Sequence, residues 1–273
     1  MPYPVKKISR LAAILDENQV RHVLGFDMNI ILWESPLCLD DVQFIVHDEH
    51  FLNAVDLITN AGYTLCTDKE CRVVQPSNPV QIPETHFHYS QWPESIALGV
   101  YKKSNIYWAL PDFPIEHPEP NDPNFMLSND PRLPAHNPWD PPCWAADLYP
   151  AKILTPVAMT ETLILLASRY VYHPNELMRG WLRFQNYAVM HAKEKWVKPE
   201  DLQPQFRTYY RLLYSEPVPG RNLGLDVQEE LAKLRRMMLD SMPPPQNTRK
   251  WSSPEQIESY EKYGAHTLSN YWP

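Results

Sequence analysis

Residues 21–63 read RHVLGFDMNIILWESPLCLDDVQFIVHDEHFLNAVDLITNAGY, and the order of patterns within them decides the fold. His22–Gly25 is a short apolar run ending in glycine. Asp27–Trp33 is long enough for two helical turns. Val42–Val46 predicts a buried strand, preceded by the acidic pair Asp40–Asp41. Asp48 is expected to cap a helix over Glu49–Ala61, in which Phe51, Leu52, Val55 and Ile58 fall at helical spacing. Gly62 is placed to end that helix in the left-handed conformation. Strand, helix, strand, helix is the grammar of an α/β layer, and burial of the apolar face predicts that Leu52→Ala costs about 2–5 kcal/mol.

Outward from this stretch, residues 4–19 predict an amphipathic helix with Ile8, Leu11, Ala12 and Leu15 on one side. Tyr63–Cys66 and Arg72–Gln75 read as two short strands around the charged turn Thr67–Glu70. Thr85–Tyr89 and Ile96–Tyr101 are further strands, and Asn105–Leu110 is one more short element. The sum is an α/β (α+β) fold, with a mixed sheet of about five strands and flanking helices over residues 1–110. Between residues 111 and 155 proline recurs every few positions, as in PRLPAHNPWDPP at 131–142. Proline neither donates to a ladder nor continues a helix, so this part is expected to wrap in extended form, packed by Phe125, Leu127, Trp139 and Trp144. Residues 156–273 form a helical region: Pro156–Tyr172, Pro174–Trp196 with its stripe Trp181, Phe184 and Tyr187, Pro199–Tyr214, Leu223–Met242, and a short helix near Pro254–Tyr263.

Composition narrows the classes. Hydrophobic residues make up 44% of 273, which supports a packed core and excludes global disorder. A net charge of −8 argues against a general nucleic-acid binder. Seven glycines against 29 prolines leave no glycine-rich phosphate loop, neither GxGxxG nor Walker A. The opening MPYPVKKISR lacks the apolar core of a signal peptide, and no apolar run approaches ~20 residues. A soluble, cytoplasmic chain is therefore expected. Its cysteines, Cys38, Cys66, Cys71 and Cys143, contain no CxxC pair and are expected to be reduced thiols; Cys66 and Cys71 would close a hairpin disulfide only in an oxidising compartment.

Gly25-Phe26, the turn Trp33-Glu34-Ser35-Pro36 and the strand Asp41-Val42-Gln43 fall in the order of a known site. The chain resembles the minimal nucleotidyltransferase domain, as in antitoxin-like and uncharacterised fungal members of that superfamily. YKKSNIYWALPD at 101–112 and SNDPRLP at 128–134 extend the likeness loosely beyond the core. The family pattern is Gly-Gly/Ser, a short helix, a turn, then Asp-x-Asp on an apolar strand, with a third acid on a later strand. The resemblance implies Asp41 as the retained metal ligand, with magnesium and a nucleotide as cofactors if the chain is active. Two departures matter. The second strand acid is Gln43, which offers a neutral carbonyl where a divalent cation prefers a carboxylate. The later strand, SIALGVY at 95–101, holds no acid, and Glu94 just before it is the nearest candidate.

Residues i and i+2 of a strand share a face, so Asp41 and Gln43 go together and Asp40 points away unless the strand bulges. The catalytic candidates are Asp41, Asp40 and Glu94. The ligand-binding candidates are Gly25, for close approach at the turn; Ser35, by its hydroxyl; Gln43, by its amide; and Lys102 and Lys103, for an anion. Each also has an ordinary reading as a turn, a strand residue or a solvated strand end. His86 and His88 share a strand face, which suits a metal pair, but no third or fourth ligand is evident and surface or core histidines are the preferred reading; His47 and His50 are treated alike.

Three functions compete. The first is a pseudoenzyme, a ligand- or partner-binding protein on a nucleotidyltransferase-like fold with a degraded metal site. The second is an active transferase with relocated acids, Asp40, Asp41 and Glu94. The third is a repurposed tailoring enzyme for a small organic molecule, its aromatic residues lining an apolar pocket. The partner, whether small molecule or protein, is not named by the sequence.

Overall fold

The apolar stripe of residues 4–19 forms α1 (Val5–Glu17), which buries Ile8, Leu11, Ala12 and Leu15. Its end is a Schellman turn. Gln19 takes the left-handed position at φ 56°, the Val20 amide donates to the Leu15 carbonyl at 2.9 Å, and the Gln19 amide to Asp16 at 2.9 Å. This turn feeds β1 (His22–Leu24) directly into the core. The computed structural model describes residues 5–33, 41–74, 82–88, 97–134, 144–171, 196–214 and 223–241. The expected helices at 174–196 and 254–263, the residues Trp139, Trp181, Phe184 and Tyr187, and Cys38 and Cys143 lie outside them, Trp196 excepted.

β1 is followed by α2 (Phe26–Leu32), β2 (Val42–Val46), α3 (Phe51–Asn60), β3 (Thr64–Leu65), β4 (Thr85–His88), β5 (Leu98–Lys102) and a single turn, α4 (Lys103–Ile106). The five strands form one mixed sheet in the order β1-β2-β5-β4-β3. β1 and β2 are antiparallel with Leu24 opposite Phe44, so His22–Leu24 and Val42–Val46 form one ladder. β2 and β5 are parallel, and β4 and β3 follow antiparallel. All five residues of β2 are buried, as expected of a central strand covered on both faces.

Several expectations change at this level. Asp48 does not cap α3 through its side chain; it accepts from the Ser104 amide at 3.0 Å and from the Ser104 hydroxyl, tying the start of the helix to α4. Leu52 is 75% exposed, while Ala54 and Ile58 are buried. Phe51, Ala54, Val55 and Ile58 form the i, i+3, i+4, i+7 stripe, and Leu52 lies about 100° round the helix from Phe51. Arg72–Val74 is a 3₁₀ turn, not a strand. Gly62 does take the left-handed conformation, at φ 93°.

The described part of the proline-rich segment buries Phe125 and Trp144, and it also contributes a second sheet, β6 (Phe125–Leu127) with β7 (Lys152–Leu154), and β7 packs beside β1. Buried Asn29 joins the layers. Its Nδ2 donates to the Leu24 carbonyl at 3.0 Å and to the Gly25 carbonyl, and its Oδ1 accepts from the Leu154 amide at 2.9 Å. Thr155 caps α5 (Pro156–Arg169) by accepting from the Ala158 amide at 3.3 Å, with Pro156 in the first turn. α6 (Pro204–Tyr214) and α7 (Leu223–Ser241) pack against each other, and α7 against α5. Arg169, buried on α5, donates to the Asn105 carbonyl at 2.7 Å and stacks over Trp108. One buried cluster therefore runs from α1 to α7. Among the described residues no helix is long and apolar enough to cross a membrane.

The register yields a stability contrast on a single helix. Ile58→Ala should lower unfolding free energy by about 2–5 kcal/mol, while Leu52→Ala should change it by less than about 0.5 kcal/mol. Denaturant midpoints of the two variants check this, and equal losses would contradict the helix face described.

His22 supplies a pH dependence. Its ring is fully buried, hydrogen-bonded to the Val20 carbonyl at 2.9 Å and packed on Phe44. Burial first, then the Lys152 cation, pull its pKa down to about 4. The native state thus holds His22 neutral while the unfolded chain takes up a proton near pH 6.5. The unfolded state binds more protons in this window, so stability falls as pH drops from about 6.5 toward 4, by at most about 1.4 kcal/mol per unit from this group. Denaturant midpoints between about pH 7 and 5 should show the fall, and His22→Phe should flatten it.

Candidate metal centre and the acid at the sheet end

At the N-terminal end of β2 the sequence candidates are brought into register. The Gly25 amide donates to the Gln43 carbonyl at 2.8 Å, and Gln43 pairs with Gly99 across to β5, which pairs in turn with His86 on β4. Facing residues on neighbouring strands share a face, so Gly25, Gln43, Gly99 and His86 form one row. The glycine at 25 is required by its neighbour: a Cβ there would lie 2.5 Å from the Gln43 Cβ and 2.8 Å from its Oε1. Gln43 is itself buried. Its Oε1 lies 3.4 Å from the Asp27 amide, and its Nε2 has no partner among the described residues.

Asp41 is 5% exposed and already engaged. Its Oδ1 accepts from Arg72 Nη2 at 2.9 Å and from the Ala97 amide at 2.8 Å. The carboxylate thus fastens the start of β2 to the chain entering β5 and to the 3₁₀ turn at Arg72–Val74. Asp40, Glu94 and Ser35 lie outside the described residues. Lys102 and Lys103 are not gathered to this end. Lys102 pairs with Val46, three residues or about 10 Å along the sheet from the Gln43 row. Its amide donates to Glu84 at 2.8 Å and its Nζ lies over the Phe51 ring. Lys103 lies over Phe113 and 3.9 Å from Asp112, and burial lowers its pKa against the pull of Asp112 and Asp48.

At the β4–β3 edge of the sheet, Cys66, Cys71, His86 and His88 come together. Thr64 pairs with His88 and Leu65 with Phe87, and the Cys66 amide continues the ladder by donating to the His86 carbonyl at 3.0 Å. By strand alternation Cys66, His86 and His88 fall on one face. The turn 67–71 then returns the chain, shaped by Asp68, whose side chain accepts from the Glu70 amide at 2.9 Å and whose carbonyl accepts from the Cys71 amide at 3.3 Å. Cys71 Sγ thereby lies 3.3 Å from His86 Nε2 and 3.4 Å from His88 Nε2. The two imidazoles meet edge to face with centroids 5.4 Å apart. One ligand atom from each of Cys66, Cys71, His86 and His88 falls within 4.8 Å of every other.

No protein-family model matches this chain, and no curated protein matches it.

Chemistry alone therefore characterises the cluster. Both cysteines are free thiols, so the hairpin disulfide is not formed. Burial lowers the His86 pKa, assisted by His88 and Arg72, which favours the neutral imidazole that can donate a lone pair. Burial raises the Cys66 pKa, so its thiol keeps its proton until a cation displaces it. The expectation that no third or fourth ligand accompanies His86 and His88 is corrected by the two sulfurs beside them. The signal was present as C-x₄-C followed by H-x-H. A search confined to C-x₂-C passes over it, because ligands on a strand need the i, i+2 spacing and the wider cysteine gap makes room for the turn.

The row at the other end makes its own prediction. Gly25→Ala should destabilise the fold by about 1–3 kcal/mol, because the new Cβ meets the rigid Cβ of a buried neighbour. Thermal denaturation checks this; an unchanged midpoint would mean that the space over Gly25 is open.

Proposed function

We propose that this chain is a binding protein on a nucleotidyltransferase-like fold, one that does not transfer nucleotides. The observation that carries the reading is the engagement of Asp41. Two divalent cations on a triphosphate need several carboxylates to hold them in line. Asp41 is the acid at the expected strand position, and a guanidinium sits 2.9 Å from it. A cation approaching that carboxylate meets a fixed positive charge and must first displace it. The neighbouring positions give no help: across β1, β2 and β5 the row reads Gly25, Gln43, Gly99. The buried Gln43 Nε2 is a neutral donor suited to an acceptor on a ligand or partner, not to a metal.

Calorimetric titration with ATP, GTP, CTP and UTP should give no magnesium-dependent binding in the micromolar range, and assays with added acceptors should give no transfer. Turnover on the order of 1 per second or faster, abolished by Asp41→Asn, would overturn the reading. A gain-of-ligand variant tests the physical cause. Gln43→Asp combined with Arg72→Ala removes the blocking cation and sets two carboxylates on one strand. Magnesium should raise the thermal midpoint of that variant and leave the wild type unchanged.

A further inference from the structure

We propose that Cys66, Cys71, His86 and His88 bind one zinc ion, and that this ion holds Arg72 on Asp41. The site stands on its own ligand geometry, apart from the functional reading above.

The donor set selects the metal. Two sulfurs and two imidazole nitrogens suit a borderline-soft ion, whereas magnesium and calcium take oxygen. A tetrahedral zinc with its usual bond lengths separates a sulfur from a nitrogen by about 3.6 Å. Cys71 Sγ lies 3.3 and 3.4 Å from the two histidine nitrogens, a contraction of a few tenths of an ångström. Four donors within 4.8 Å of one another enclose a single ion and leave no room for a two-iron cluster. Because the protein fills all four positions, no coordination site remains for a water or substrate, and the centre is structural. Charge balances on binding: two thiols release their protons, the histidines bind as neutral rings, and two thiolates neutralise the dication.

The location gives the ion its work. β3 is two residues long, and both of its side chains are exposed. The following turn contributes Val73 to the buried set but otherwise little apolar surface. A segment so poorly packed is held by its ligands. Cys71 is bonded through one peptide to Arg72, and the Val74 amide donates back to the Cys71 carbonyl at 3.0 Å, so the ligand and the 3₁₀ turn form one rigid unit. Arg72 Nη2 reaches Asp41 from that unit. The coupling runs from ion to Cys71, to Arg72, to the acid of β2.

The test begins with the full-length chain purified without added chelator. Elemental analysis should find one zinc per chain, and cobalt exchanged into the site should give the visible bands of a tetrahedral, thiolate-ligated ion. Cys71→Ser and His86→Ala should each weaken zinc affinity at least about 100-fold, beyond the loss typical of an outer partner. Cys71→His, which replaces one ligand type by another, should keep the metal even where Cys71→Ser fails to fold. Cys38→Ser and Cys143→Ser should keep it fully. Arg72→Ala should also keep one zinc, yet lose less thermal stability on chelation than the wild type, because the contact that the ion supports is already absent. A protein isolated free of zinc, and unchanged in midpoint and cobalt spectrum on adding either metal, would overturn the site and leave a thiol–imidazole hydrogen-bonded cluster. Equal loss on chelation in Arg72→Ala and wild type would overturn the coupling to Asp41.

Discussion

The buried ammonium of Lys152 constrains everything around it. It sits on β7 with its side chain fully enclosed, and its three protons go to Asp16 Oδ1, to the Pro114 carbonyl at 2.9 Å and to the Ile115 carbonyl at 3.0 Å. The other oxygen of Asp16 accepts from the Tyr149 hydroxyl at 2.9 Å. Burial lowers the Lys152 pKa, and the Asp16 carboxylate works against that. Removing either partner would leave a bare charge in the interior, at a cost of about 3–5 kcal/mol. These contacts tie together the end of α1, the start of the proline-rich segment and the second sheet. That arrangement in turn sets β7 beside β1 and brings the Leu154 amide to Asn29.

With β1 held from outside, the turn after it is fixed, and Gly25 must accept the Gln43 side chain laid over it. The row across the sheet then contains no charge. Among the described residues an amide fills the space over Gly25, and Asp41 at the strand entry is tied to Arg72. The two ends of the row differ in kind. At Gly25 the backbone is tightly packed by neighbours, whereas at His86 the side chain reaches toward two sulfurs. One face of one sheet thus passes from packing to coordination within four strands.

The sequence was legible where a local rule acts on neighbouring residues. α1, the β1-β2 pair and the left-handed Gly62 follow from periodicity and turn chemistry. It was less legible where two distant residues compete. Asp48 has the right type and position for a cap, but Ser104 offers both a backbone and a hydroxyl donor, and its pull is visible only in three dimensions. Leu52 reads as core because it is leucine; the helix instead turns the smaller Ala54 inward. Lys102 and Lys103 read as an anion site by charge, and the rings of Phe51 and Phe113 beneath them carry no sequence mark. Arg72–Gln75 has strand-like composition, but Cys71 and the Asp68 turn curl Arg72–Val74 into a 3₁₀ turn. Asp41 stood out by its place at the entry of an apolar strand. Its partner, 31 residues away, had no sequence mark.

The brevity of β3 also bears on how the molecule meets copies of itself. Open sheet edges carry unpaired amides and carbonyls that invite strands from other chains, and long flat edges seed intermolecular pairing. On one side of this sheet β1 lies against β7. On the other, the exposed border is the dipeptide Thr64–Leu65, after which Cys66 bends into the turn. Two residues offer too short a template for a foreign strand to register upon. Among the described residues, that border is therefore a poor template for intermolecular pairing.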